Sequence, residues 1–360
     1  VSGRGLSGIV VPLLEWYAGH ARVLPWRNDP TPYRVWVSEI MLQQTRVEAV
    51  IPFFERFVAE LPDVASLAAA GEERLMKLWE GLGYYSRARN LHKAAAVVMK
   101  EYGGVLPKEP EALLRLPGIG GYTAGAIASI AYGVAAPAVD GNVLRVISRV
   151  TGSREDIAAP AVKREIEACL KRVYPEGRAG DFTQALMELG ALVCLPNGAP
   201  RCGACPLSGP CAAYRQGVQA ELPVKKAKKE RRVQRRTVFL ILCGEKAALR
   251  KRPEKGLLAG LWELPSAEGA LSERAAREWL AEQGAAPQPL ERLPDARHVF
   301  THIEWHMTGY LARVPEPFGG YVWAGKEELR GVYTLPSAFR AFLKIYGERT
   351  GNGPESACGK

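Results

Sequence analysis

The chain has no apolar run approaching the ~20 residues that a membrane-spanning helix requires. Its opening lacks a leader core, because the apolar stretch from Ile9 to Leu14 is short and interrupted by Pro12. These absences argue against a membrane-spanning helix, and the expectation is a soluble cytoplasmic chain that touches no membrane. There is no solenoid-type repeat, and strand signals are missing from the first 214 residues. A paired disulfide framework is missing too. The cysteines number seven, an odd count, with Cys169, Cys243 and Cys358 scattered and four crowded between Cys194 and Cys211. That usage excludes a small oxidised scaffold and suits a metal site in a reducing compartment.

A length of 360 residues with a 47% hydrophobic fraction predicts two domains with real cores. The first half reads as almost entirely helical. Tyr33, Trp36, Val37, Ile40 and Met41 make one helical stripe, and the pattern repeats at Leu75 to Leu82, Leu91 to Met99, Ala124 to Ala131, Val143 to Val150 and Phe182 to Val193. After Arg236 the texture changes. Thr237 to Cys243 and Val299 to Arg313 read as strands, with a helix from Ser272 to Gln283 capped by Ser272. The expected organisation is multidomain: an all-α domain over 1–214, a basic linker over 215–236, a smaller α+β domain over 237–350 and a disordered tail over 351–360.

Net charge is +10, and its distribution is uneven. The stretch from Lys225 to Arg236 holds eight bases and one acid, Glu230, leaving only +3 for the rest of the chain. A bare basic run reads first as a solvated connector. Beside a polyanion the same tether gains affinity by counterion release, so a nucleic-acid partner is expected.

Three local patterns carry chemistry. Leu116-Pro117-Gly118-Ile119-Gly120-Gly121 lies between helical segments, where Gly118 and Gly120 permit a tight turn that bares backbone N–H groups to a phosphate. Four cysteines, Cys194, Cys202, Cys205 and Cys211, crowd one short loop and demand a metal; the donor set alone admits tetrahedral zinc or an iron–sulfur cluster. Glu39, opposite the apolar stripe, and Asp140, just ahead of Val143, read singly as an exposed helical acid and a helix N-cap.

Taken jointly, Ser38-Glu39-Ile40-Met41-Leu42-Gln43-Gln44-Thr45, the hairpin with Tyr122-Thr123-Ala124, and Val139-Asp140-Gly141-Asn142 closely resemble the signature of the MutY-type adenine glycosylases, of the helix-hairpin-helix glycosylase superfamily. The resemblance covers essentially the whole chain. It implies one [4Fe–4S] cluster on the four cysteines, although the first gap holds seven residues where six are commoner; the extra residue, within Leu195 to Gly198, is expected to bulge outward. It implies a monomeric enzyme of the bacterial nucleoid that binds double-stranded DNA and removes adenine mispaired with 8-oxoguanine or guanine. Glu39 is then the acid at the leaving base, and Asp140 stabilises the sugar cation, the division of labour used by glycosidases. Tyr122 and Asn142 would orient Asp140 and the sugar. Tyr122 stands where bifunctional endonuclease III-like lyases, the alternative, carry a lysine; tyrosine cannot form a Schiff base, so a monofunctional glycosylase is expected.

By the same resemblance Trp26, Arg27 and Gln184 line the adenine pocket, and Leu42, Gln44 and Tyr84 serve base flipping and the opposite base. In the second half, Gly260-Leu-Trp-Glu-Leu-Pro265 and Arg277 to Gly284 resemble a Nudix fold. Ala281 takes the place of one hydrolytic glutamate, which argues against pyrophosphohydrolysis. Phe300-Thr301-His302 matches a Phe-Ser-His loop that recognises 8-oxoguanine, with threonine replacing serine. His298, His302 and His306 lack the Cys or acidic partners of a metal site.

Overall fold

The computed structural model describes residues 6–196, 198–225, 230–285 and 289–350. The expectations for the tail over 351–360, for the bulge at Asn197 and for positions 226–229 of the linker lie outside the described residues. Two compact units emerge, one of residues 6–70 and 86–225, the other of 71–85 and 230–350.

The first unit is helical, as expected. Its opening helices are α1 (Val10–His20), α2 (Pro25–Asn28), α3 (Pro32–Leu42), α4 (Val47–Glu60) and α5 (Val64–Ala69). The chain then forms α6 (Glu72–Trp79) in the second unit and returns with α7 (Ser86–Tyr102). There follow α8 (Pro110–Leu113), α9 (Gly121–Ala126), α10 (Gly141–Thr151), α11 (Pro160–Lys171), α12 (Ala179–Leu192) and α13 (Ala212–Arg215).

Helix α3 begins where Pro32 fixes φ and the Thr31 hydroxyl accepts from the Arg34 N–H at 3.3 Å. It ends where the buried Arg87 guanidinium donates to the carbonyls of Ile40, Met41 and Gln43 at 2.6, 2.9 and 2.8 Å. A cation thereby satisfies acceptors that the helix leaves open at its negative end. The sequence stripe suggested one buried face; instead every residue from Val35 to Met41 is buried, Glu39 included.

Helix α10 is capped by Asp140, whose Oδ1 accepts from the Val143 N–H at 2.8 Å. Its stripe Val143, Val146, Ile147 and Val150 shares one core with Phe182, Ala185, Leu186 and Leu189 of α12 and Leu13, Leu14 and Tyr17 of α1. Gly190 lets α12 close on the start of α10: a Cβ there would meet Asn142 Cβ at 2.6 Å. In the hairpin, Gly118 has φ +77° and a Cβ would meet Asn90 Cβ at 2.6 Å, so both backbone and space require glycine. Gly120 is the N-cap of α9, which runs on through a π-helical turn at Ile127–Ala131.

The second unit is built on β1 (Arg232–Cys243), β2 (Lys246–Lys251), β3 (Trp262–Glu263), β4 (Ser266–Glu268), β5 (Glu291–Val299), β6 (Ile303–Arg313) and β7 (Val322–Ala324). The strands lie in the order β3-β2-β1-β6-β5, with β4 on β1 and β7 on β2; β1 and β6 are parallel and the other pairs antiparallel. Alternate residues face opposite layers. Val238, Leu240 and Leu242 pack with Phe339 and with Phe342 of a C-terminal helix, Arg340–Arg349. Phe239 and Ile241 pack with Ala276 and Leu280 of the helix Glu273–Glu282, capped by Ser272 as expected.

Two expectations are corrected by the structure. Residues 232–236 of the basic stretch are strand rather than linker, because β1 pairs with β6 from Arg232↔Ile303 onward. Val299 closes β5, and Phe300 to His302 is the turn into β6. Residues 71–85 cluster with the sheet rather than with the helical domain. Lys77 Nζ donates to the carbonyls of Leu329 and Tyr333 at 3.1 and 3.4 Å, and the Glu80 carboxylate accepts from the Leu335 N–H at 2.8 Å.

Candidate active site

A cavity of about 660 Å³ opens in the helical unit, lined by Trp26, Arg27, Glu39, Leu42, Gln44, Gly120, Tyr122, Asp140, Asn142 and Gln184. These positions, nominated from a chain region spanning more than 150 residues, converge on one space. Gly118, two residues before Gly120 in the hairpin, is not among the lining residues.

Glu39 is 5% exposed, and its Oε2 accepts from the Tyr122 hydroxyl at 2.5 Å. Burial pushes its carboxyl up to about 7; the hydrogen bond from Tyr122 opposes the rise, the charge of Asp140 adds to it, and Arg27 opposes it. Burial also raises Asp140. There the rise is opposed by hydrogen bonds from the Val143 N–H and the Asn142 amide, both at 2.8 Å, and by the charge of Arg145. Two carboxyls thus share one cavity in unlike settings. Glu39 is poised to hold a proton, and Asp140 is surrounded by donors that favour its anion. The Asn142 amide donates to Asp140. Tyr122 does not: its hydroxyl is spent on Glu39, which lies across from it on α3.

Sequence reasoning missed four residues. Arg22, Lys163 and Glu188 line the same cavity. Arg145, 5% exposed, donates to Asn142 Oδ1 and to the carbonyls of Gly190 and Cys194 at 2.8, 2.8 and 2.7 Å. A signal existed for two of them. Arg145 and Glu188 are charges set within the apolar stripes of α10 and α12, where a buried ion requires a partner.

Cys194, Cys202, Cys205 and Cys211 line a second, small pocket with Val146, Val150, Leu189 and Leu207. Burial raises the thiols of Cys202, Cys205 and Cys211, Cys205 to about 11, while the Arg149 guanidinium stands 3.2 Å from Cys194 Sγ. Among the described residues no three His, Cys, Asp or Glu side chains are close enough to hold a single ion. The donor set still fits a thiolate-ligated centre. Four sulfurs face one apolar space, and only a cationic group would keep such thiols deprotonated there.

In the second unit Tyr84 Oη and Thr301 Oγ1 lie 2.7 Å apart. Phe300 packs edge-on between His298 and Trp305, at 4.6 and 4.9 Å between ring centroids, while Thr301 and His302 are exposed. The histidines do have an acidic neighbour, contrary to expectation: His306 Nε2 is 2.5 Å from Glu304 Oε1, which Arg297 also pairs. On the helix Glu273–Glu282, Glu273 and Glu278 pair with Arg277 and Arg274 at 2.7 and 2.9 Å. Gln44 and Tyr84 have left-handed backbones, φ +57° and +49°, a strain that non-glycine residues carry where geometry is over-determined.

The helical fold, the glycine hairpin and the paired carboxyls define a class, the base excision glycosylases. Residues 37–172 match the HhH-GPD superfamily base excision DNA repair proteins, and residues 237–344 match the NUDIX domain. The human adenine DNA glycosylase is 34% identical over 405 residues, covering 94% of this chain and 74% of that protein. Its counterpart in Buchnera aphidicola subsp. Acyrthosiphon pisum is 33% identical, covering 84% and 86%. A thermostable thymine-DNA glycosylase aligns at TM-score 0.55 with 28% identity, over 60% of this chain and 99% of that one. Endonuclease III in a non-covalent DNA complex aligns at TM-score 0.51 with 23% identity, over 61% and 99%, and shares the fold. The chain belongs to the adenine DNA glycosylase family, DNA-binding enzymes of base excision repair that hydrolyse N-glycosyl bonds.

Proposed function

We propose that this enzyme extrudes adenine from duplex DNA and hydrolyses its glycosidic bond, with Glu39 as general acid and Asp140 as the carboxylate facing the sugar. One observation carries the reading: two carboxyls open on a single cavity, one raised to about 7, the other ringed by hydrogen-bond donors. Adenine is a poor leaving group, so a proton delivered near N7 makes its departure feasible, and the oxocarbenium-like sugar that remains needs an anion. Trp26, Arg27 and Gln184 would hold the extruded base, the Gln184 amide being able to bond N7 and N6 together. The hairpin N–H groups would grip backbone phosphate.

The proposed substrate is adenine opposite 8-oxoguanine or guanine. Tyr84, Thr301 and His302 would read the opposite base, with Gln44 and Leu42 at the gap in the stack. Cys194, Cys202, Cys205 and Cys211 would hold one [4Fe–4S] cluster, which supplies a rigid charged element that positions DNA and takes no part in bond cleavage.

The test is to incubate duplexes carrying A opposite 8-oxoguanine, G or T and look for breaks at A. Breaks that require alkali support a monofunctional glycosylase. A lyase reading has one observation in its favour, Lys163 on the cavity wall; borohydride trapping of a protein–DNA adduct would establish it.

A further inference from the structure

The two-carboxyl chemistry leaves one acid of the cavity unused. Glu188 on α12 is 1% exposed. Its oxygens accept from the backbone N–H, Nε and Nη2 of Arg22 at 3.0, 2.7 and 2.9 Å and from Nη2 of Arg27 at 3.0 Å. Arg27 is fixed again by a bond from Nη1 to the Arg22 carbonyl at 3.0 Å, with its guanidinium over the Tyr17 ring at 5.6 Å. Burial alone would raise the Glu188 carboxyl, but the hydrogen bonds from Arg22 and Arg27 and the charge of Arg27 hold it at about 2. The result is a permanent anion bridging two cations, one turn of helix beyond Gln184 and on the same face.

The charged and titratable groups lining this cavity are Arg22 and Arg27 from the α2 region, Glu39 on α3, Tyr122 on α9, Asp140 at the head of α10, Lys163 on α11 and Glu188. Left uncompensated, two guanidiniums on one wall would favour the ionised form of Glu39. We propose that Glu188 is a positioning residue for adenine release, fixing Arg22 and Arg27 against the cavity wall and offsetting one of their two positive charges so that Glu39 enters the reaction protonated. The proposal rests on Glu39 being the acid.

The experiment is single-turnover adenine release from an A:8-oxoguanine duplex across pH, using the full chain. If protonated Glu39 is the active form, the rate descends as pH rises through its titration. In Glu188→Gln the descending limb should move about one unit to lower pH, with a roughly tenfold loss near pH 8 and a near-normal rate at low pH. Arg22→Gln should move the limb the other way, because Glu188 and Arg27 then form a neutral pair and the wall loses its net positive charge. A uniform loss at every pH, or a limb that stays in place, overturns the proposal. If circular dichroism shows that Glu188→Gln is unfolded, Arg22→Gln decides alone by the same criterion. Glu39→Gln run alongside separates the two layers: activity in that variant removes the assignment of the acid, whereas an inactive Glu39→Gln with unmoved limbs removes only the role of Glu188.

Discussion

The Tyr122 hydroxyl donates to Glu39 Oε2 at 2.5 Å. This contact occupies one carboxyl oxygen and, on the proposal that Glu39 is the acid, leaves the other to present the transferable proton. Donation to the carboxylate stabilises its ionised form, so Tyr122 holds Glu39 lower than burial alone would. Tyr122→Phe should therefore shift the descending limb of the pH–rate profile to higher pH. It should also lower the maximal rate about tenfold, the usual worth of a hydrogen bond to a charged group. Single-turnover rates from pH 5 to 9 check both, and a limb moving downward would contradict the stated direction.

Glu39 also links catalysis to stability. Its folded-state titration, near 7 against an ordinary 4.5, means that the folded chain binds this proton more tightly than the unfolded chain does. The stability tied to Glu39 is full below about pH 4.5, is lost as pH rises towards 7, and stays lost above. Glu39→Gln removes that loss. The variant should be more stable than the parent by roughly 3 kcal/mol at pH 8 and show little difference at pH 4, as read from denaturant melts. Adenine release should fall by at least ~10²-fold in Glu39→Gln and also in Asp140→Asn, with duplex binding retained.

What the sequence revealed and what it hid divide along physical lines. Glu39, Asp140 and Asn142 were nominated only by the joint pattern and the family it resembles, since singly the two acids read as an exposed helical residue and an N-cap. The cysteine loop, in contrast, was legible from its density of thiols alone. The stripe of α3 was legible as a helix, but its burial was not. Periodicity places Tyr33, Trp36 and Ile40 on one face and cannot see that Arg87, 47 residues beyond Ile40, covers its end. Partner choice was likewise hidden. Tyr122 bonds Glu39 rather than Asp140 because α9 packs beside α3, a long-range fact that no local pattern encodes. The start of β1 was masked by composition: a run of arginines reads as solvent-facing, and only pairing with β6 makes it strand.

The four cysteines give a prediction independent of activity. Thiols gathered in one apolar pocket, those of Cys202, Cys205 and Cys211 raised by burial, should bind a cationic centre and be destabilised without it. Protein purified aerobically should be brown, absorb near 400 nm and contain iron. Cys205→Ser should lose the absorbance and melt several degrees lower. Stoichiometric zinc with no iron would replace the cluster by a tetrahedral site. Glu39→Gln, remote from the loop, should keep the colour.

The Tyr84–Thr301 contact predicts how the opposite base is read. The two hydroxyls lie 2.7 Å apart, one on a left-handed backbone and the other exposed in the turn between β5 and β6. The bond needs an oxygen at position 301 and is indifferent to the methyl beside it. Thr301→Ser should therefore preserve the ratio of adenine release opposite 8-oxoguanine to that opposite guanine. Thr301→Val keeps the shape and deletes the bond, and the ratio should narrow about fivefold, corresponding to ~1 kcal/mol for one neutral hydrogen bond. Single-turnover rates on the two duplexes measure the effect. Because the chemistry lies in the other unit, rates at saturating enzyme on A:G should change little. A ratio that survives Thr301→Val would mean that this turn does not take part in recognising the damaged base.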